Sequence, residues 1–178
     1  MKRMVVLSCS MLLASAAPAL AQKALAEGIA RAAATSLQNL VESAEKMPEG
    51  DYAFQATKDT RTFGGFVGHT INAAYGGCAR AKGEPNPNKE DLEKVTSKAK
   101  LVEAAKAVQT YCNAVYSAQT DASLSELLPA AQPGGMQQPR GQALVGLISH
   151  NMNEYGQMVI LMRLKGVVPP STERTMKK

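Results

Sequence analysis

The stretch that decides the fold is residues 142–165, QALVGLISHNMNEYGQMVILMRLK. Its apolar side chains recur at intervals of three, four and seven residues, and a helix of about 3.6 residues per turn brings them onto one face. Gly166 directly after the stretch and Pro169-Pro170 shortly beyond it are typical of a helix end. The pattern predicts an amphipathic helix whose core-facing stripe consists of Leu144, Ile148, Tyr155, Val159 and Met162.

Three further helices are predicted from the turn residues that bound them. The first covers about residues 23–46, and the second covers about residues 60–82 and ends at Gly83. The third opens with Asn88 as its N-cap, has Glu90 and Asp91 in its first turn, and continues to about residue 119. Irregular segments are predicted at 51–59 and in the Pro- and Gly-rich loop 129–141. Four helices joined by such loops predict an all-α four-helix bundle.

The composition agrees with one globular domain. The 178 residues are 45% hydrophobic and 20% charged, which excludes wholesale disorder. Aromatic residues make up only 4% and Trp is absent, so the core must consist mainly of aliphatic residues and Met. A core rich in Ala, Leu and Met favours helices over a β-sandwich or barrel. Residues 22–178 are predicted to form this single domain.

Residues 1–21 have the features of a secretory signal peptide. Lys2 and Arg3 precede an apolar region, and Ala19-Leu20-Ala21 forms a small-x-small cleavage site. The apolar region is short for a membrane span, although an uncleaved N-terminal anchor is the alternative. We therefore expect an exported protein, periplasmic or secreted, with no membrane span in its mature chain.

The charge distribution argues against a nucleic-acid partner. The formal net charge is +5, and it falls to +3 without the predicted signal peptide, because Lys2 and Arg3 are the only charged residues in that peptide. The remaining basic residues are spread along the chain and do not alternate with aromatic residues. A nucleic-acid-binding surface would show clustered basic residues.

The only two histidines of the chain, His69 and His150, are the candidate ligands for a metal ion. His150 and Glu154 are four residues apart, so they stack on one face of the fourth helix beside its apolar stripe. His69 lies at the margin of a similar stripe on the second helix. Two imidazoles and a carboxylate that meet between helices can hold a divalent ion and leave positions open. The alternative is that each histidine is a separate, hydrogen-bonded residue at a helix edge.

Motifs for several other chemistries are absent from the sequence. It contains no Cys-x-x-Cys-His haem attachment and no pair of Glu-x-x-His motifs for a ferritin-like centre. It also contains no Gly-x-Ser-x-Gly elbow and no phosphate-binding Gly-Lys-Ser/Thr loop.

Six short motifs occur in an order that is typical of a known family: MPE at 47–49, TRTFG at 60–64, His69, CARAKG at 78–83, HNMNEYGQ at 150–157 and LKGVVPPS at 164–171. Over residues 24–172 the chain resembles the DinB-like family of four-helix metalloproteins. The resemblance implies a bundle of up-down-down-up type. It also implies a divalent metal held by one His on the second helix and by a His-x-x-x-His pair on the fourth. These positions fall on His69, His150 and Glu154, so the sequence departs from the family pattern at the third ligand.

The resemblance also implies an activity class. Members of the family include thiol-dependent transferases, isomerases and metal-dependent hydrolases, so the resemblance implies an enzyme acting on a small-molecule substrate. The implied cofactor is zinc, nickel or iron. A non-catalytic, exported binding or stress-associated bundle with a degraded metal site is the alternative, and a homodimer through an exposed helix face is also consistent with the resemblance.

Cys78 and Cys112 are the only cysteines outside the predicted signal peptide. An even number of cysteines in an exported protein favours a disulfide. The parallel second and third helices that the resemblance implies would place these two cysteines level with each other. Two buried free thiols are the alternative.

A shared ion requires the ring nitrogens of the two histidines to lie within about 8 Å of each other, because ligand atoms lie about 2.0–2.2 Å from the metal. Tyr155 is expected to point toward the core beside them, and Gly156 is expected to admit a neighbouring helix. Asn72 and Asn151, each near a ligand residue in sequence, are expected either to hydrogen-bond near the site or to be ordinary polar helix positions.

Overall fold

The computed structural model describes residues 16–130 and 132–177, with side chains from residue 23 onward. Residues 1–15 of the predicted signal peptide lie outside the described residues, so export and cleavage stay predictions. The helices of the described ranges are α1 (Ala16–Lys46), α2 (Phe63–Lys82), α3 (Lys98–Ser117), α4 (Asp121–Ser125), α5 (Arg140–Leu164) and α6 (Pro170–Met176). None of the helices in these ranges is both long and apolar enough to cross a membrane.

The four long helices form a bundle around one apolar core, which confirms the predicted all-α fold. Helix α1 packs mainly on α3 and α5, and α2 packs on the same two helices. The largest fully buried side chains come from all four long helices and from the turn after α1: Leu37, Leu40, Met47, Phe63, Ile71, Leu101, Leu144, Met158 and Met162.

The contacts of α2 establish the direction of its neighbours. Near the starts of α2 and α3, a Cβ added at Gly64 would lie 3.6 Å from Leu101. Near their ends, Cys78 and Cys112 have Cα atoms 5.6 Å apart. Helices α2 and α3 therefore lie side by side and run in the same direction.

The segment between α2 and α3 differs from the prediction. A helix starting at Asn88 was expected, but α3 begins at Lys98, and the Ser97 side chain accepts a hydrogen bond from Lys100 N. Because α2 and α3 run in the same direction, the chain must first travel back along the whole of α2. Residues 83–97, here called the return segment, cover this distance in a mostly extended form with one 3-10 turn, Leu92–Lys94. The predicted first-turn residues Glu90 and Asp91 therefore belong to the return segment.

The predicted loop 129–141 is shorter in the structure. Strand β1 (Leu127–Leu128) pairs antiparallel with β2 (Gln138–Pro139), and α5 begins at Arg140, two residues before the predicted start. The chain also continues after the predicted stop, because Pro170 occupies the first position of α6, where its missing N–H costs nothing. Arg174 of α6 forms an ion pair with Glu42 of α1, which fastens the C-terminal helix to the bundle.

Candidate metal centre

Helices α2 and α5 place the two histidines opposite each other. The imidazole rings of His69 and His150 have centroids 5.2 Å apart, with an angle of 58° between their planes. Two turns further along α2, Gly77 lies against Leu147, and a Cβ at Gly77 would meet that side chain at 2.8 Å. The absence of a side chain at Gly77 lets the two helices approach closely near the histidines. The later residue of α2, Gly77, contacts the earlier residue of α5, Leu147, so α2 and α5 are antiparallel.

Glu154 is the third member of the candidate ligand group, with His69 and His150. It lies one turn after His150 on α5, is only 7% exposed, and its Oε1 is 4.0 Å from His150 Nδ1. One ligand atom from each of His69, His150 and Glu154 can be chosen so that all three lie within 4.8 Å of one another. The structure thus brings the three predicted ligand residues together between α2 and α5.

Unpartnered buried atoms indicate that this group is suited to a metal ion. His150 Nε2 and Glu154 Oε2 are inaccessible to solvent and have no hydrogen-bond partner among the described residues. Buried polar atoms are nearly always paired in folded proteins, so unpaired ones need an explanation. An imidazole nitrogen and a carboxylate oxygen are the donor types that zinc, nickel and iron accept.

Electrostatics keep His150 in the form that a metal requires. Burial lowers the pKa of His150, and this effect outweighs the opposing influence of the Glu154 charge. His69 and Arg61 lower the pKa of His150 further. The imidazole is therefore neutral at neutral pH and keeps a lone pair available for a cation.

Glu93 is a component of the site that the sequence pattern did not predict. Its Oε2 lies 3.0 Å from His69 Nδ1, and its Oε1 accepts a 2.7 Å hydrogen bond from Arg61 Nε. Burial opposes the ionisation of Glu93, but the hydrogen bonds with Arg61 and His69 outweigh burial and hold the pKa of Glu93 below its ordinary value. The sequence placed Glu93 inside a helix, and nothing local to it indicates that the return segment passes His69.

Of the residues expected to lie around the ligands, some are placed as predicted and others are not. Tyr155 is buried, as predicted, and its hydroxyl donates to Ser171 Oγ at 2.7 Å. The prediction for Gly156 is wrong, because a Cβ there would meet nothing within 4 Å. Asn72 hydrogen-bonds the return segment instead of the histidines, accepting from Leu92 N at 3.2 Å. Asn151 is buried, and its Oδ1 has no partner among the residues described.

The two cysteines lie away from the histidines, near the C-terminal ends of α2 and α3. Cys78 and Cys112 form a disulfide that spans 34 residues of sequence. Both cysteines are fully buried. A sulfur in this bond is not a free thiol, so neither cysteine is a candidate nucleophile.

Comparison with solved structures shows a shared fold. A DinB-like protein from Bacillus cereus ATCC 10987 matches with a TM-score of 0.68 and 20% identity, covering 81% of this chain and 95% of that chain. A second DinB-like protein, YjoA from Bacillus subtilis, matches with a TM-score of 0.64 and 16% identity, covering 78% of this chain and 92% of that chain. No curated protein matches the chain. The model of the DinB superfamily matches residues 32–158, well over half of the sequence, and the chain therefore belongs to the DinB superfamily.

Proposed function

We propose that this protein is a divalent-metal-dependent enzyme that acts on a small molecule, in a thiol-transfer or hydrolysis reaction. His69, His150 and Glu154 hold the metal. The observation that carries the proposal is the convergence of their ligand atoms within 4.8 Å, together with the unpartnered, buried state of His150 Nε2 and Glu154 Oε2.

The donor set supports catalysis more than a purely structural metal site. Structural zinc sites are closed by four protein ligands, whereas catalytic sites use three and leave a position for water or substrate. A divalent ion bound by this group would lower the pKa of a bound water or thiol toward neutrality. The Glu154 carboxylate supplies the single negative charge of the set, and so offsets part of the charge of a divalent cation.

The position of the group suits a small substrate. The side chains of His69 and His150 are 27% and 34% exposed, so the outer edge of the site is open to solvent, while Glu154 forms its buried floor. Export by the predicted signal peptide and action outside the cytoplasm are part of the same proposal.

Metal analysis of the purified chain tests the proposal. We expect about one zinc, nickel or iron ion per chain in wild-type protein and a large loss of metal in His69→Gln and His150→Gln. Glu103→Gln, an exposed change on α3, is the matched control and should retain the ion. An empty wild-type protein whose thermal stability does not rise on addition of these metals would contradict the proposal and favour a non-catalytic binding bundle.

Two assays on the metal-loaded protein separate the reaction types. A chromogenic ester reports hydrolysis, and a small thiol with an electrophilic acceptor reports thiol transfer. Either activity should disappear in His150→Gln and persist in Glu103→Gln. Retention of the activity in His150→Gln would show that it does not originate at this site.

A further inference from the structure

Glu93 bridges Arg61 and His69 with its two carboxylate oxygens. Oε1 accepts from Arg61 Nε at 2.7 Å, and Oε2 lies 3.0 Å from His69 Nδ1. Arg61 offers only donors, and an ionised carboxylate only accepts hydrogen bonds. The permanent positive charge of Arg61 favours the ionised form of Glu93, so the geometry points to Oε2 as a hydrogen-bond acceptor directly beside one nitrogen of His69.

The backbone that carries Glu93 is held firmly against α2. Leu92 N donates to Asn72 Oδ1 at 3.2 Å, and Asn72 Nδ2 donates to Asp91 Oδ1 at 3.0 Å. A Cβ added at Gly68 would lie only 2.1 Å from Leu92 O, so α2 and the return segment are in close backbone contact at this point. The position of the Glu93 carboxylate is therefore determined by α2 itself, one residue from His69.

We propose that Glu93, held by Arg61, is a positioning residue that keeps the proton of His69 on Nδ1 and leaves the lone pair of Nε2 facing the group formed with His150 and Glu154. A carboxylate next to Nδ1 requires a donor there, and a neutral imidazole has only one N–H. Nε2 then becomes the ligand atom. A carboxylate–histidine pair of this kind fixes both the tautomer and the ring orientation of a metal ligand. The purpose of the pair rests on the proposed metal site, but the tautomer can be measured without metal.

The substitution Glu93→Gln is expected to reverse the tautomer. An amide has one accepting oxygen and one donating nitrogen. Arg61 can bond only the oxygen, so the NH2 group would face His69 Nδ1 and demand an acceptor there. The proton of His69 then moves to Nε2, the nitrogen that the metal needs. Adding Arg61→Met removes the competing donor, so the amide oxygen can turn to His69 and restore part of the original tautomer.

Nitrogen-15 spectra of the metal-free chain, recorded at a pH where the imidazoles are neutral, test this directly. The chain has only two histidines, and His150→Gln assigns their signals. We expect His69 in the Nδ1–H form in wild type, in the Nε2–H form in Glu93→Gln, and partly back in the Nδ1–H form in the double variant. Glu90→Gln is the matched control, since Glu90 lies in the same segment but pairs with Lys100. An Nε2–H tautomer in wild type, or an unchanged spectrum in Glu93→Gln, would overturn the inference.

Competition for Zn²⁺ with a chromophoric chelator supplies the second measurement. Glu93→Gln should weaken zinc binding by about 10–100-fold, the usual cost of losing an outer-shell partner. Glu90→Gln should not change it. Equal affinities of wild type and Glu93→Gln would refute the role of Glu93 in metal binding. A wild-type chain that binds no zinc would refute the proposed function, and the tautomer measurement on the metal-free chain would still decide the inference.

Discussion

The two faces of α2 have opposite characters. The face toward α3 meets Leu101 near the start of that helix and Cys112 near its end, both fully buried, and Cys112 is joined to Cys78 of α2 by the disulfide. The face toward α5 meets His150 and Glu154, each of which has a buried polar atom with no partner among the described residues. Apolar packing and a covalent link stabilise the first face, whereas the second contains groups whose burial costs free energy.

This contrast indicates that the two faces of α2 have different roles. A buried charge without a partner lowers stability, so its presence here points to a purpose other than stability. The α2–α3 interface should therefore control the free energy of unfolding, and the α2–α5 interface should control metal binding. Variants of α2 and of its neighbouring helices test this separation, from the largest expected effect to the smallest.

Loss of the disulfide should have the largest effect on stability. The double variant Cys78→Ala/Cys112→Ala should lower the free energy of unfolding by about 3–4 kcal/mol, because the bond closes a loop of some 34 residues and restricts the unfolded chain. Urea unfolding measures the change. Zinc affinity of the folded variant should be unchanged. A strong loss of zinc affinity would show that the two faces are coupled, and reductant should destabilise wild type but not the variant.

Changes at Glu154 should affect binding with little effect on stability. Glu154→Gln keeps the shape and removes the charge, so zinc affinity should fall by about 100-fold or more, since loss of an outer-shell partner alone costs 10–100-fold. Glu154→His should preserve or strengthen binding, because it restores the three-imidazole set that the family resemblance implies. Titration calorimetry gives both affinities.

The stability of the metal-free Glu154 variants completes this prediction. Replacing an unpartnered buried carboxylate with a neutral amide should leave the free energy of unfolding unchanged or raise it. A clear loss of stability in metal-free Glu154→Gln would show that Glu154 stabilises the fold and would contradict the division described above.

Gly68→Ala should lower both the stability of the fold and the affinity for zinc, because Gly68 contacts the return segment next to His69. The new methyl group would lie 2.1 Å from Leu92 O, and backbone cannot move aside as a flexible side chain can. We expect a loss of about 1–3 kcal/mol in stability, the usual range for overpacking, and weaker zinc binding because Glu93 moves with Leu92. Gly76→Ala is the matched control on the same helix, since its Cβ would only touch Asn86 at 3.9 Å. Equal stabilities of the two variants would contradict the close contact at Gly68.

Gly156→Ala should have the smallest effect on stability, and it should raise stability where Gly68→Ala lowers it. Gly156 is exposed inside α5 and a Cβ there would meet nothing within 4 Å. Alanine should therefore raise stability by about 0.5–1 kcal/mol through its better helix propensity. Thermal unfolding followed by circular dichroism measures the shift. Gly83→Ala provides the contrast, since Gly83 has φ 78° and alanine should destabilise it. A destabilised Gly156→Ala would show that this face of α5 is covered in solution.

Much of the fold and part of the site were predictable from sequence because they depend on local order. The apolar period and the Gly and Pro residues that follow the helices predicted α2 and α5 to within three residues at each end. The spacing of His150 and Glu154 placed both on one helical face, since residues four apart are neighbours on any α-helix. The start of α3 was not predictable in this way, because the polar residues Asn88, Glu90 and Asp91 are as typical of a helix start as of a turn.

The sequence by itself determined which segments are helical, where their apolar faces lie, and that two histidines and a glutamate border those faces. Tertiary structure alone decided which helices are neighbours, and therefore that the chain returns along α2 and brings Glu93 to His69. It also decided that the close approaches fall at Gly68 and Gly77, whereas Gly156 stays open. The physical reason is range: backbone hydrogen bonds and helical periods relate residues about four positions apart, whereas the contact of His69 with His150 arises only when whole helices pack.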